Sequence, residues 1–67
     1  MNIDPVTFID KDSGDEGFVQ VRVVGSVVGL ALSLKQDGDL EVLFGAPELD
    51  RIINALEMAR RAIEASE

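Results

Sequence analysis

The side chains that most enzymes use near neutral pH are missing from this sequence, which contains no histidine and no cysteine. Only Asp, Glu, Lys and Ser remain as acids, bases or nucleophiles, and burial would first have to shift their pKa values. The acidic residues fall in predicted turns and on a predicted helix surface, where water keeps their pKa values ordinary. A chain of 67 residues also has little room for a pocket beside its core. We therefore expect a non-enzymatic protein with no catalytic residues and no cofactor.

One acidic segment, residues 10–16 (DKDSGDE), places oxygen ligands at alternating positions, as calcium-binding loops do. The match fails at the positions that matter. An EF-hand needs an oxygen ligand fifth, glycine sixth and glutamate twelfth, whereas counting from Asp10 the chain has Gly14 fifth, Asp15 sixth and Val21 twelfth. We therefore predict a solvated acidic loop and no metal site.

Binding of phosphate or nucleic acid has no support in the sequence. Gly25 and Gly29 belong to a predicted hairpin and do not open a helix, and no lysine follows them as in a phosphate-binding loop. Arg60 and Arg61 are the only adjacent basic residues, and no aromatic platform accompanies them. The chain has 13 acidic and 6 basic residues, a net charge of −7. Such a charge repels nucleic acid and anionic membranes and favours basic partners.

Length and composition predict one small domain over residues 1–67, which we expect to be cytoplasmic. The sequence has no basic region followed by an apolar run at its start, and no apolar stretch approaches about 18 residues. A chain this short buries only about 60% of its unfolded surface, so its stability is marginal. Without cysteine or histidine, disulfides and zinc sites cannot help. Oligomerisation, most simply a homodimer, is the remaining source of stability.

The predicted fold is organised around residues 18–35, which form two β-rich runs separated by Gly25 and Ser26. Glycine followed by a small polar residue is typical of a type II′ turn, whose twist matches that of the flanking strands. A two-residue loop pairs Val21 with Leu30. The same register places the other alternate valines and leucines of both strands on one face.

An additional strand is predicted on each side of this hairpin. Residues 6–9 (VTFI) follow Pro5, which cannot donate to a ladder, so this strand should start there and lie at an edge. Residues 40–44 (LEVLF) follow a three-residue loop, 36–38, with Gly38 in the left-handed position of a type I turn with a G1 bulge. That loop predicts a register in which residue 35 pairs with 39, 34 with 40, 32 with 42 and 30 with 44.

A C-terminal helix is predicted from Pro47 to about Ala65, because proline is harmless in a first helical turn and the apolar residues follow helical spacing. The fold class is therefore α+β: an antiparallel three- or four-stranded meander sheet with one C-terminal helix packed on one face (ββββα or βββα). The predicted core comprises Val21, Val23, Leu30, Leu32, Val42, Phe44, Leu49, Ile52, Ile53 and Leu56.

Two surfaces remain once this core is assigned. The other face of the sheet mixes apolar and small residues, which suits contact with another surface. The helix carries a ridge of small residues beside its main apolar stripe, with one methionine beyond it. The candidate interface residues are Phe18, Val24, Val27, Ala31 and Leu43 on the sheet and Ala55, Met58 and Ala62 on the helix.

Two functions follow from these surfaces. The first is a small acidic protein-interaction module, which as an inhibitor or regulator would dock on the basic surface of a nucleic-acid-binding protein. The second is a self-associating structural or accessory domain. The expected partner is another protein or a second copy, as a homodimer, with no binding of nucleic acid or membrane.

Overall fold

The computed structural model describes residues 1–66. Within them the chain forms four antiparallel strands followed by one helix, and the strands pair in the order β1-β2-β3-β4. The α+β meander with a C-terminal helix is therefore confirmed. The elements are β1 (Asn2–Ile9), β2 (Glu16–Val24), β3 (Val27–Leu34), β4 (Gly38–Phe44) and α1 (Ala46–Ala65).

The central hairpin has the predicted turn and register. Val24 pairs with Val27 and Val21 pairs with Leu30 across the two-residue loop. Gly25 has a φ of 61°, whereas no non-glycine residue in the described chain has a positive φ. A positive φ at the first loop residue alone is the type II′ pattern, since a type I′ turn requires it at both.

Strand β1 lies at an edge as predicted, but it begins at Asn2 and is longer than residues 6–9. Its pairing with β2 shifts between Ile3 and Val6. The irregularity falls at Asp4 and Pro5, where a bulge accommodates a residue that has no N–H to donate. The strand therefore continues through the proline instead of starting at it.

The predicted register of β4 is wrong by two residues. Leu32 pairs with Leu40 instead of Val42, and Leu34 pairs with Gly38. The turn closes earlier because the Asp37 amide donates to the Leu34 carbonyl at 3.2 Å, and Gly38 then takes the left-handed conformation with a φ of 83°. A shift of two residues keeps every side chain on its predicted face, since side chains alternate with a period of two.

Helix α1 begins one residue after β4 ends. Gly45 links the two elements, and its N–H donates to Glu48 Oε1 at 3.0 Å while its carbonyl accepts from the Leu49 amide at 3.0 Å. These bonds satisfy backbone groups that a helix start leaves unpaired. They also fix the direction of the helix immediately after the strand. In the described residues, no helix is long and apolar enough to cross a membrane.

The prediction that helix α1 covers the sheet and creates a core is wrong for the single chain. Over residues 1–66 no hydrophobic side chain is buried. The main contact of the helix with the sheet is with β3. Leu49 and Ile52, in the first two turns, are half-buried, whereas Ile53 and Leu56 further along are exposed. The one-residue connection explains this arrangement, because it leaves little freedom to lay the whole helix across the sheet.

Candidate functional site

The two faces of the sheet differ sharply in chemistry. On one of them, here called the apolar face, every paired position carries an apolar side chain or glycine. Alternation along four paired strands gathers these residues. The apolar face consists of Ile3, Val6, Phe8, Gly17, Val19, Val21, Val23, Val28, Leu30, Leu32, Leu34, Gly38, Leu40, Val42 and Phe44.

Much of the apolar face is open to solvent. Leu32 is 49% exposed, Leu40 64% and Val42 48%. Val28 and Leu30 are half-buried, as are Leu49 and Ile52 in the first two turns of helix α1. The apolar face is therefore most open along its outer strands, β1 and β4.

Helix α1 presents a second apolar surface, here called the helix stripe. Its residues recur at helical spacing and share one side of the helix. Beyond the first two turns the stripe is exposed, with Leu56 at 65% and Ile63 at 63%. The helix stripe consists of Leu49, Ile52, Ile53, Leu56, Ala59 and Ile63.

The total surface shows how much is left uncovered. The chain exposes 5435 Å², whereas a folded monomer of 7.2 kDa is expected to expose about 4,100 Å². The excess is about 1,300 Å² per chain. Obligate homodimers bury roughly 1,000–2,500 Å² on each partner. The excess therefore matches what a stable dimer removes from solvent.

The shape of the chain agrees with its surface. The Cα radius of gyration is 13.6 Å, whereas a compact domain of 67 residues is expected to have about 11 Å. A chain of 134 residues, the length of two copies, is expected to have about 14 Å. One copy is thus extended over dimensions that suit a domain of twice its length.

The opposite face of the sheet is crossed by an ion pair. Arg22 donates from Nε to Glu41 Oε2 and from a terminal nitrogen to Glu41 Oε1, both at 2.8 Å. The two residues lie on β2 and β4, so their side chains meet across β3. They pass over Gly29, where the Cβ atom of any other residue would lie only 3.0 Å from Glu41 Oε2. The Arg22 guanidinium holds the pKa of Glu41 below its usual range, mainly through these hydrogen bonds.

A second polar contact joins β3 to β4 on the same face, where the Ser33 hydroxyl donates to Asp39 Oδ1. Both polar contacts require the observed register, which pairs Ser33 with Asp39 and Ala31 with Glu41. Along the apolar face either register pairs apolar residues with one another. The polar contacts on the opposite face therefore explain why β4 pairs with β3 two residues away from the predicted register.

The five predicted interface residues of the sheet share this opposite face, as predicted from the alternation. The Arg22–Glu41 pair lies among them, so the surface is less apolar than the sequence suggested. On the helix, Ala55, Met58 and Ala62 are exposed. Their role as an interface stays a prediction. The sequence reasoning missed the exposed part of the apolar face; the signal for it was the single residue between Phe44 and the helix.

Of the predicted acidic loop, residues 10–16, Glu16 belongs to β2, and residues 10–15 fold into a turn held by their own polar groups. Asp10 Oδ2 accepts hydrogen bonds from the Ser13 amide at 2.9 Å and from the Ser13 hydroxyl at 2.7 Å. These bonds lower the pKa of Asp10. The Asp10 amide donates to the Asp15 carbonyl, which closes the loop. No group of three or more potential ligands in residues 1–66 is arranged to hold a metal ion.

The chain has no significant match among known protein families, curated proteins or solved structures.

Proposed function

We propose that this chain is a non-enzymatic protein-interaction module, which reaches its stable folded form when another protein chain covers the apolar face and the helix stripe. The observation that carries the proposal is the excess of about 1,300 Å² of accessible surface over a folded monomer. Monomeric soluble proteins rarely expose contiguous apolar patches larger than a few hundred Å². A partner chain that covers these surfaces supplies the core that one copy lacks.

A protein partner fits the chemistry of these surfaces better than a membrane does. An apolar face can also bind lipid, but the net charge of −7 repels the anionic surfaces of membranes. The valines and leucines of the apolar face are held on paired strands, so little side-chain and backbone freedom is lost on binding. Such pre-ordered apolar surfaces are suited to contact with a complementary protein surface.

The test is urea unfolding, followed by circular dichroism at two protein concentrations a hundredfold apart, with binding of an apolar fluorescent dye (ANS) measured on both samples. Two results support the proposal. The urea concentration at the midpoint of unfolding rises with protein concentration if the covering chain is a second copy. The midpoint is constant and the dye binds strongly if the surfaces are free for a different protein. Cooperative unfolding that is independent of concentration, without dye binding, would overturn it.

A more specific form of this proposal is that the partner protein has a basic surface. The apolar face carries no charged residue at its paired positions, whereas acidic residues of the loops gather at the end of the sheet where β1–β2 and β3–β4 turn. A chain that covers the apolar face therefore leaves this acidic end in solvent, where it attracts basic surfaces. Regulation or inhibition of a nucleic-acid-binding protein stays a prediction. Salt-sensitive capture of a basic protein by the wild-type chain, lost when Asp12 and Asp37 are replaced by asparagine, would support it.

A further inference from the structure

We infer that the chain which covers these surfaces is a second copy, and that the two copies exchange helices, with the helix stripe of each lying on the apolar face of the other. The inference rests on the proposed function and names its partner. Three observations carry it: the amount of surface left uncovered, the distribution of charge, and the connection between β4 and helix α1.

The first observation is that two separate apolar surfaces are uncovered. Stacking two sheets would cover the apolar faces and leave the exposed part of the helix stripe in water. Pairing two helices would do the reverse. An exchange of helices covers both at once: the free part of the helix, residues 53–65, is about 20 Å long and covers most of a strand of eight residues, about 26 Å long.

The second observation is the charge of each element. Residues 1–44 contain eight acidic and three basic residues, a net charge of −5, whereas residues 46–65 contain four acidic and three basic residues, a net charge of −1. Stacking two sheets would bring charges of −5 and −5 together. Placing a helix on the sheet of the other copy brings −1 to −5, so the repulsion is much weaker.

The third observation explains why the helix of the same chain does not do this. Helix α1 is capped at Gly45, one residue after β4, so its direction is fixed where the strand ends. Along the helix only Leu49 and Ile52, in the first two turns, are half-buried, and the main contact of the helix with the sheet of the same chain is with β3. The rest of the helix stripe, from Ile53 to Ile63, is then free to reach a second copy. By two-fold symmetry each copy gives and receives one helix.

The test is cross-linking between differently labelled copies. The sequence contains no cysteine, so introduced cysteines are unique. One copy carries Leu32→Cys in the uncovered part of the apolar face, and a ¹⁵N-labelled copy carries Leu56→Cys in the helix stripe. The two are mixed, unfolded, refolded together and joined with a short bismaleimide, and the products are identified by mass. Cysteine is a small apolar residue, so each variant keeps much of the contact.

The expected result is a product that joins Leu32→Cys to Leu56→Cys, in up to about half of the chains because random mixing of two copies yields that fraction of mixed dimers. Replacing Leu56→Cys by Met58→Cys, on the far side of the helix, should reduce that product at least tenfold. An independent pair, Val42→Cys with Ile53→Cys, guards against a variant that fails to fold.

The remaining outcomes separate this inference from the proposed function. Products that join the same position, such as Leu32→Cys to itself, show a dimer with another arrangement and overturn the exchange. A monomer that binds the apolar dye and forms no cross-link overturns the second copy as partner, while the interaction module stands. A monomer without cross-link and without dye binding overturns both.

Discussion

Replacing Leu56 by glutamine asks directly whether the helix stripe is covered in the assembled protein. Leu56 is 65% exposed in one chain, so about two-thirds of its burial is still to be gained on association. Burial of a whole leucine side chain contributes about 1.5–3 kcal/mol, which leaves about 1–2 kcal/mol for this residue in each copy. A two-fold dimer contains it twice, so the substitution should cost about 2–4 kcal/mol, equivalent to a Kd roughly 30- to 1,000-fold higher.

Met58 provides the matched control. It is 67% exposed, nearly the same as Leu56, but it lies two positions along and therefore on the far side of the helix. Leucine, methionine and glutamine have similar helix propensities, so neither substitution to glutamine should unwind the helix. Sedimentation velocity over a dilution series gives the Kd of each variant, and far-ultraviolet circular dichroism checks that the helix remains.

Leu56→Gln should weaken association strongly, and Met58→Gln should leave it almost unchanged. If both variants associate like the parent, the helix stripe is not an interface. If Met58→Gln weakens association as much as Leu56→Gln does, the small-residue side of the helix is the interface instead, as the second surface predicted from the sequence.

Three further predictions concern the sheet. Gly25→Val should lower the thermal stability much more than Ser26→Ala, because a β-branched residue in a left-handed conformation costs at least about 1–2 kcal/mol; equal melting temperatures would argue against the type II′ turn. Glu41 has a pKa held below its usual range by Arg22, so the stability that this pair adds is present above the ordinary pKa of glutamate and is lost as the pH falls through the lower pKa of the folded state. The melting-temperature difference between the parent and Glu41→Gln should therefore shrink in acid, and a difference that stays constant would speak against the pair. Ala31→Arg should leave the proposed dimer intact in size-exclusion chromatography, because it lies on the opposite face; a folded monomer would make that face the interface.

The central hairpin could be predicted from the sequence because two independent signals agree on it. The Gly25-Ser26 dipeptide specifies the turn, and the alternating valines and leucines specify the same register. The register of β4 could not be predicted in the same way. On the apolar face both registers pair apolar residues, and the choice depends on Ser33 and Asp39 on the opposite face. A single polar contact between two side chains leaves no periodic signal in the sequence.

The sequence predicts which residues make up the two uncovered surfaces. It does not predict that these surfaces are exposed to solvent in a single chain. Periodicity groups Leu32 with Val42 and Leu56 with Ile63, because side chains on one face of a strand or helix recur at fixed spacing. It does not indicate which chain covers them. A core inside one copy and an interface between two copies require the same pattern of apolar residues. The difference lies in the short connection at Gly45, whose effect on the direction of the helix is visible only in three dimensions.

The most direct test of the central claim is small-angle X-ray scattering on protein eluting from a size-exclusion column, which gives mass and radius of gyration together. If a second copy covers the apolar face, the mass should be about 14 kDa, twice the 7.2 kDa of one chain, with a radius of gyration of about 14 Å. A mass of one chain with a radius of about 11 Å would contradict the claim, because it would place the helix on the sheet of its own chain.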